Sequence, residues 1–230
     1  MNPENVSRLS QSDPKKTPEP QIPFPPPFTP LDKSAPITKT LRILPHWSQE
    51  GCTYFATFRL ADSVAAPVWK KWQQQRAAWL NMHPKPWDQT TQKDYNTKFP
   101  AQMELWLDAG YGSCALKNLA LREIVTTSMH HFDGHRVTLG DYIIMPNHVH
   151  VLITPHPGHS LASILTGWKR VSGHKIISLI GTPKPFWMAE DFDHAIRSER
   201  QLKHFKNYIA QNPIKAGLPA NSWTHWKSPC

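Results

Sequence analysis

The stretch Met145-Pro146-Asn147-His148-Val149-His150-Val151-Leu152-Ile153 decides how the chain is read. Side chains of a β-strand alternate between its two faces. Val149, Val151 and Ile153 therefore enter a core, while His148 and His150 project side by side from the opposite face. Imidazoles held that way can chelate a metal, or can stand as two polar residues on a wet sheet surface.

The flanking segments supply the rest of the architecture. "CTYFATFRL" alternates, with Tyr54, Ala56, Phe58 and Leu60 on one face and Phe55, Thr57 and Arg59 on the other, and reads as a first strand. "APVWKKWQQQRAAWLNM" reads as a helix opened by Pro67, with Val68, Trp72, Ala78 and Trp79 inward. Residues 83–109 are rich in Pro and Trp and read as a surface insertion that reaches a ligand or covers the sheet. Asn118 is placed to cap a helix whose stripe is Leu121, Ile124, Val125, Ser128 and Phe132. "RVTLGDYIIM" is a strand bent at Gly140, paired antiparallel with the histidine strand. Leu161, Ile164, Leu165, Trp168, Ser172, Ile176 and Leu179 mark a long amphipathic helix, with Lys169, Arg170 and Lys175 off its buried stripe. "FWMAEDFDHAI" gives a short edge strand. "SERQLKHFKNYIAQN" is a last helix that Pro213 ends or kinks. This order predicts an α+β, ferredoxin-like fold: an antiparallel sheet with helices on one face and a site on the other.

Residues 1–36, with "PEPQIPFPPPFTP" at their centre, read as a Pro-rich disordered tail ahead of one domain over 37–230. The formal charge of +9 favours a polyanionic partner, nucleic acid foremost, and the ten Trp include rings able to stack on unpaired bases. Cys52, Cys114 and Cys230 form no CxxC pair and no disulfide framework. The N-terminus lacks the apolar core of a signal peptide, and no apolar run is long enough to span a membrane. A cytoplasmic protein without membrane contact is the expectation.

The last helix offers chemistry to set against the histidines. Tyr208 and Asn212 are four residues apart, so they share a helical face with Cβ atoms roughly 5–6 Å apart. An amide oxygen suits a hard divalent ion, and a phenol is a possible nucleophile. Docked over the histidine strand, this helix would gather His148, His150, Asn212 and Tyr208.

"MPNHVHVLI" together with "YIAQNPIKAGL" resembles the single-tyrosine HUH transposases, specifically the REP-associated tyrosine transposases, where HUH denotes His, a hydrophobic residue, His. "LASILTGWKR", "DFDHAIRSE" and "LDAGYGSCAL" extend the likeness across roughly residues 40–220, leaving the Pro-rich head and residues 83–100 unmatched. The resemblance implies a metal-dependent single-stranded DNA endonuclease and strand transferase acting at hairpin-forming, REP-like repeats. Tyr208 would form a 5′-phosphotyrosine intermediate, and His148, His150 and Asn212 would hold Mg²⁺ or Mn²⁺. Arg170, Arg197, Lys203 and Lys206 are candidate DNA contacts. A monomer is favoured over a homodimer. The rival on the same fold is a catalytically silent module that binds DNA or RNA hairpins.

Overall fold

The computed structural model describes residues 28–41, 45–182 and 185–229. Strands β1 (Thr38–Leu41) and β2 (Pro45–Ser48) form a small antiparallel ribbon ahead of the main sheet. Next come β3 (Tyr54–Arg59), three helices, α1 (Ala66–Met82), α2 (Gln89–Lys98) and α3 (Pro100–Asp108), and then α4 (Leu119–His130). Strands β4 (Val137–Ile144) and β5 (His148–Pro155) precede α5 (Leu161–Ile180), β6 (Phe192–Ala195), α6 (Glu199–Lys215) and β7 (Thr224–Trp226). The five-stranded sheet has the order β6-β3-β5-β4-β7, with every neighbouring pair antiparallel. Its first four strands and the crossover helices α4 and α5 make the predicted ferredoxin-like α+β arrangement. The short β7 edge strand and the β1–β2 ribbon are additions that the sequence pattern does not reveal.

Alternation explains which helix covers which face. Tyr54, Ala56 and Phe58 of β3 join Val149, Val151 and Ile153 of β5 in a core closed by α4 and α5. Leu121 and Val125 of α4, and Leu165, Trp168 and Ile176 of α5, fill that layer. Asn118 caps α4 by accepting from the Ala120 amide, as expected. On the opposite face Phe55, Ile143 and Leu152 meet Ile209, Leu202 and Phe205 of α6. The sheet is thus buried on both sides, which suits the β-branched and aromatic content of β3 and β5.

Several local expectations need correction. In α1 the inward residues are Trp72, Arg76 and Trp79, whereas Val68 and Ala78 are exposed. The helix packs through its indoles on α2 and α3, so the turn facing Tyr95 and Phe99 is the buried one. Leu179, in the last turn of α5, is exposed. Lys169 reaches Asp191 Oδ1 at 2.7 Å in a largely buried ion pair. Pro213 does not end α6, which continues to Lys215, because a proline one turn from the C-terminus removes a single helical bond.

Order begins before Ile37. Leu31 is buried in the main core and donates its amide to Ile196 O at 2.7 Å, and Phe28 packs beside α6. The rest of the Pro-rich head, residues 1–27, lies outside the described residues. Among the described residues no helix is long and apolar enough to cross a membrane.

Candidate functional site

β5 carries His148 and His150 onto the sheet face opposite Val149 and Val151, as the alternation requires. The face is not wet. His148 is 1% exposed and His150 2%, roofed by α6 and by the end of α3. Their Nε2 atoms are 3.0 Å apart. Each ring is aimed by its other nitrogen. His148 Nδ1 donates to Asn147 Oδ1 at 2.8 Å, and the Asn147 amide nitrogen is fixed by the carbonyls of Leu107 and Tyr111. His150 Nδ1 meets Thr57 Oγ1 at 2.7 Å, and Phe55 stacks on the His150 ring. Burial pushes His148 down to about 3 and holds His150 well below the ordinary imidazole value, with the neighbouring His148 adding to the effect. Both rings are neutral at physiological pH, the state in which imidazole nitrogens bind cations.

α6 brings the second half. Ser198 caps it by accepting from the Gln201 amide, and Glu199 and Lys215 sit at the ends that favour their charges. Its buried stripe places Tyr208 Oη 3.4 Å from His150 Nε2. One turn on, Asn212 is 1% exposed; its side chain hydrogen-bonds the phenol, and its Oδ1 has no partner. A buried amide oxygen without a donor is uncommon and asks for a ligand.

Two nitrogens at ~2.1 Å from a shared cation and at a right angle are ~3.0 Å apart, which is the spacing found. The bare Asn212 oxygen is a hard donor of the kind divalent ions take. Among the described residues no group of three or more His, Cys, Asp or Glu side chains could hold a metal ion, and at this site the unpartnered amide oxygen stands as a further donor beside the two imidazoles. The residues fit.

Sequence reasoning does not identify a partner for the phenol, and the structure supplies one from the insertion. Glu104 of α3 hydrogen-bonds the Tyr208 hydroxyl, and burial raises its carboxyl above the usual range. Asp108 is raised for the same reason, with Lys215 opposing the shift. Burial first, and then Glu104, drive Tyr208 above the ordinary phenol value. The only hint in the sequence is the position of residues 83–109 as a candidate cover over the sheet.

The proposed DNA contacts do not gather at one place. Arg170 lines the groove between α4 and α5, across the sheet from the histidines. Arg197, just ahead of the cap of α6, and Lys203, within that helix, are exposed, and Lys206 reaches Asp141 Oδ1 at 3.7 Å.

The antiparallel sheet thus carries a His-hydrophobic-His strand beneath the helix that bears Tyr208. Residues 116–212, from the segment before α4 to Asn212, match the family model described as "Transposase IS200 like". No curated protein matches the chain. Similar solved structures include a REP-associated tyrosine transposase bound to a REP hairpin, with 17% identity and a TM-score of 0.43, covering 76% of this chain and 73% of that one. Another is described as a transposase from Deinococcus radiodurans R1, with 14% identity and a TM-score of 0.30, covering 70% of this chain and 89% of that one.

Proposed function

We propose that residues 37–230 form a single-tyrosine nuclease and strand transferase that cuts and rejoins single-stranded DNA beside REP-like hairpins. The observation carrying this reading is the convergence of Tyr208, His148, His150 and Asn212 from two distant segments onto one buried sheet face. His148, His150 and Asn212 would hold Mg²⁺ or Mn²⁺, which when bound supplies positive charge to a non-bridging phosphoryl oxygen.

The chain's own groups account for the other requirements. Glu104, hydrogen-bonded to the phenol and made more basic by burial, takes the proton from Tyr208 Oη as attack begins. The Tyr208 oxygen bonds to phosphorus, the bond from phosphorus to the 3′ oxygen breaks, the released 3′ oxygen takes a proton from solvent, and a 5′-phosphotyrosine and a 3′-hydroxyl result. Attack by another 3′-hydroxyl reverses the exchange and frees the phenol. Phosphodiester energy is conserved throughout, so no nucleoside triphosphate is needed. The +9 charge supports the choice of a polyanionic strand.

The test is incubation with a labelled hairpin oligonucleotide and Mn²⁺ or Mg²⁺, read by denaturing electrophoresis. A covalent adduct that disappears in Tyr208→Phe, which keeps the fold, is the expected result. Tight hairpin binding without adduct would favour the silent module, and cleavage surviving Tyr208→Phe would overturn the tyrosine mechanism.

A further inference from the structure

Helices α1–α3 lie wholly outside the family match, which starts at residue 116, and they carry a core of their own. Trp72, Trp79 and Phe99 centre a cluster whose other members, Trp87, Tyr95 and Trp106 among them, all come from residues 69–106. Two hydrogen bonds brace it from within, Arg76 Nε to Tyr95 Oη at 2.7 Å and Trp79 Nε1 to Asp94 Oδ2 at 3.1 Å. A unit with its own apolar core can keep its shape when it moves.

The face that this unit turns to the sheet is packed differently. A cavity of about 80 Å³ opens along it beside His150, between Met103 and Leu107 on one side and Thr57 and Phe192 on the other. One water needs roughly 10–15 Å³, and well-packed interiors hold few larger voids, so the two surfaces meet without interlocking. The contacts that bridge the seam include polar and single-ring ones. Arg59 lies 4.7 Å over the Trp69 ring, Glu104 hydrogen-bonds Tyr208, and the Asn147 amide reaches the carbonyls of Leu107 and Tyr111.

Both ends of the unit are attached at one place. The chain leaves the sheet through Asp62 and returns through Ser113, whose amide donates to Asp62 Oδ2 at 2.7 Å. Just inside that pin are Gly110 and Gly112, at φ +69° and +86°, values open to glycine. Two neighbouring connections, one of them rich in glycine, make a hinge.

Something has to move before a strand can reach the imidazoles, which are 1% and 2% exposed. The roof has two parts. α6 is built into the sheet: Phe205 stacks on Phe55 at 4.3 Å, and Ile209 is fully buried in the same cluster. Lifting it would expose that apolar layer to water, whereas lifting α1–α3 leaves both clusters whole and parts a seam that is already loose. We infer that α1–α3 form a rigid lid, hinged where Asp62 meets Ser113, that shuts the active site in the free protein and swings off to admit the substrate strand. The inference rests on the single-stranded DNA reading above and adds a gate to it. Closure over the bound strand returns Glu104 to the phenol, so the movement that shields the site also completes its set of reacting groups.

The experiment locks the lid shut. Asp108 of α3 and Lys215 of α6 are near enough for their charges to interact. In a Cys230→Ser background, Asp108→Cys and Lys215→Cys can be joined by a bismaleimide whose arm contains a reducible disulfide. Opening is read on the full chain in chelator without DNA, as carbethoxylation of His150 by diethyl pyrocarbonate, followed by mass spectrometry. The staple should slow that reaction about tenfold or more, and reductant should restore it. Trp69→Leu, which removes the ring beneath Arg59, should speed it about fivefold or more, and the staple keeps the test decisive if that variant fails to fold. A carbethoxylation rate that ignores the staple overturns the lid. Association of labelled oligothymidylate is measured in parallel and should be blocked by the staple and released by reductant. Binding that survives the staple overturns the gate, whereas a staple that stops carbethoxylation while neither form binds DNA faults the strand reading and upholds the lid.

Discussion

His148 Nε2 and His150 Nε2 face each other at 3.0 Å in a site from which water is almost excluded. Two imidazoles in that position cannot both accept protons, and the folded protein pays for this on acidification. Their folded values are depressed, so the unfolded chain binds more protons below its ordinary value of 6.5. The stability they permit is therefore fully present above pH 6.5 and is lost as pH falls toward about 3. Chelator-treated protein should lose up to about 1.4 kcal/mol per pH unit for each histidine in that window. Urea unfolding at successive pH values checks this. A double His148→Gln, His150→Gln variant should show a shallower slope, and an equal slope would refute the assignment.

Asn147 orients His148 without facing the site itself. Its Oδ1 accepts from His148 Nδ1, and its amide is tied to Leu107 O and Tyr111 O, linking α3 to the histidine strand. Asn147→Ala should leave the ring free to turn and weaken Mn²⁺ binding by about 10–100-fold, the usual effect of losing such a support. Titration calorimetry reads the loss. Asn212→Ala should weaken binding as well, since it removes the unpartnered oxygen, whereas unchanged affinity in Asn212→Ala would remove the amide from the ligand set.

The histidine strand and the tyrosine helix differ in how much of their arrangement the sequence could tell. Alternation in "HVHVLI" and the four-residue step from Tyr208 to Asn212 are enough to place four residues on facing surfaces, because both follow from local geometry. The element order implies the sheet topology for the same reason. Burial of the histidine face is not legible. It depends on α6 and α3 arriving from distant segments, and a strand with a polar alternate face reads as half exposed until they do. Arg76 turning inward in place of Ala78 has the same origin, since its Nε finds Tyr95 Oη at 2.7 Å on another helix. Glu104 is hidden in an insertion without periodicity or motif, and only the fold brings it to the phenol.

Glu104 therefore makes a separate prediction. Its carboxyl is raised by burial above the ordinary 4.5, and as the base it must be ionised to act. Single-turnover cleavage should then rise with pH through a limb above about 4.5 and level off once the carboxylate has formed. Glu104→Gln should slow cleavage about 100-fold or more and erase that limb, with hairpin affinity little altered. A variant that cleaves at the wild-type rate would leave deprotonation to some other group.

Gly140 and Gly167 offer a paired test of how the sheet holds the site. Gly140 sits where the β4–β5 register shifts between Leu139 and Tyr142, and a Cβ there would stand 2.8 Å from Leu152 Cβ and 3.0 Å from Leu152 O. Leu152 belongs to the histidine strand and is fully buried, so it has no free end to swing aside. Gly140→Ala must push β5 or distort the bulge, at about 1–3 kcal/mol, and for a chain of this size each kcal/mol lowers Tm by about 2–4 °C. Because β5 carries both imidazoles, cleavage should fall along with stability. Gly167 lies in the middle of α5, and a Cβ added there would meet nothing within 4 Å. Gly167→Ala should instead stabilise by about 0.5–1 kcal/mol through helix propensity, with cleavage unchanged. Thermal melts and adduct assays on the two variants should diverge in sign; if Gly140→Ala melts at the wild-type temperature, the close approach to Leu152 does not position the histidine strand.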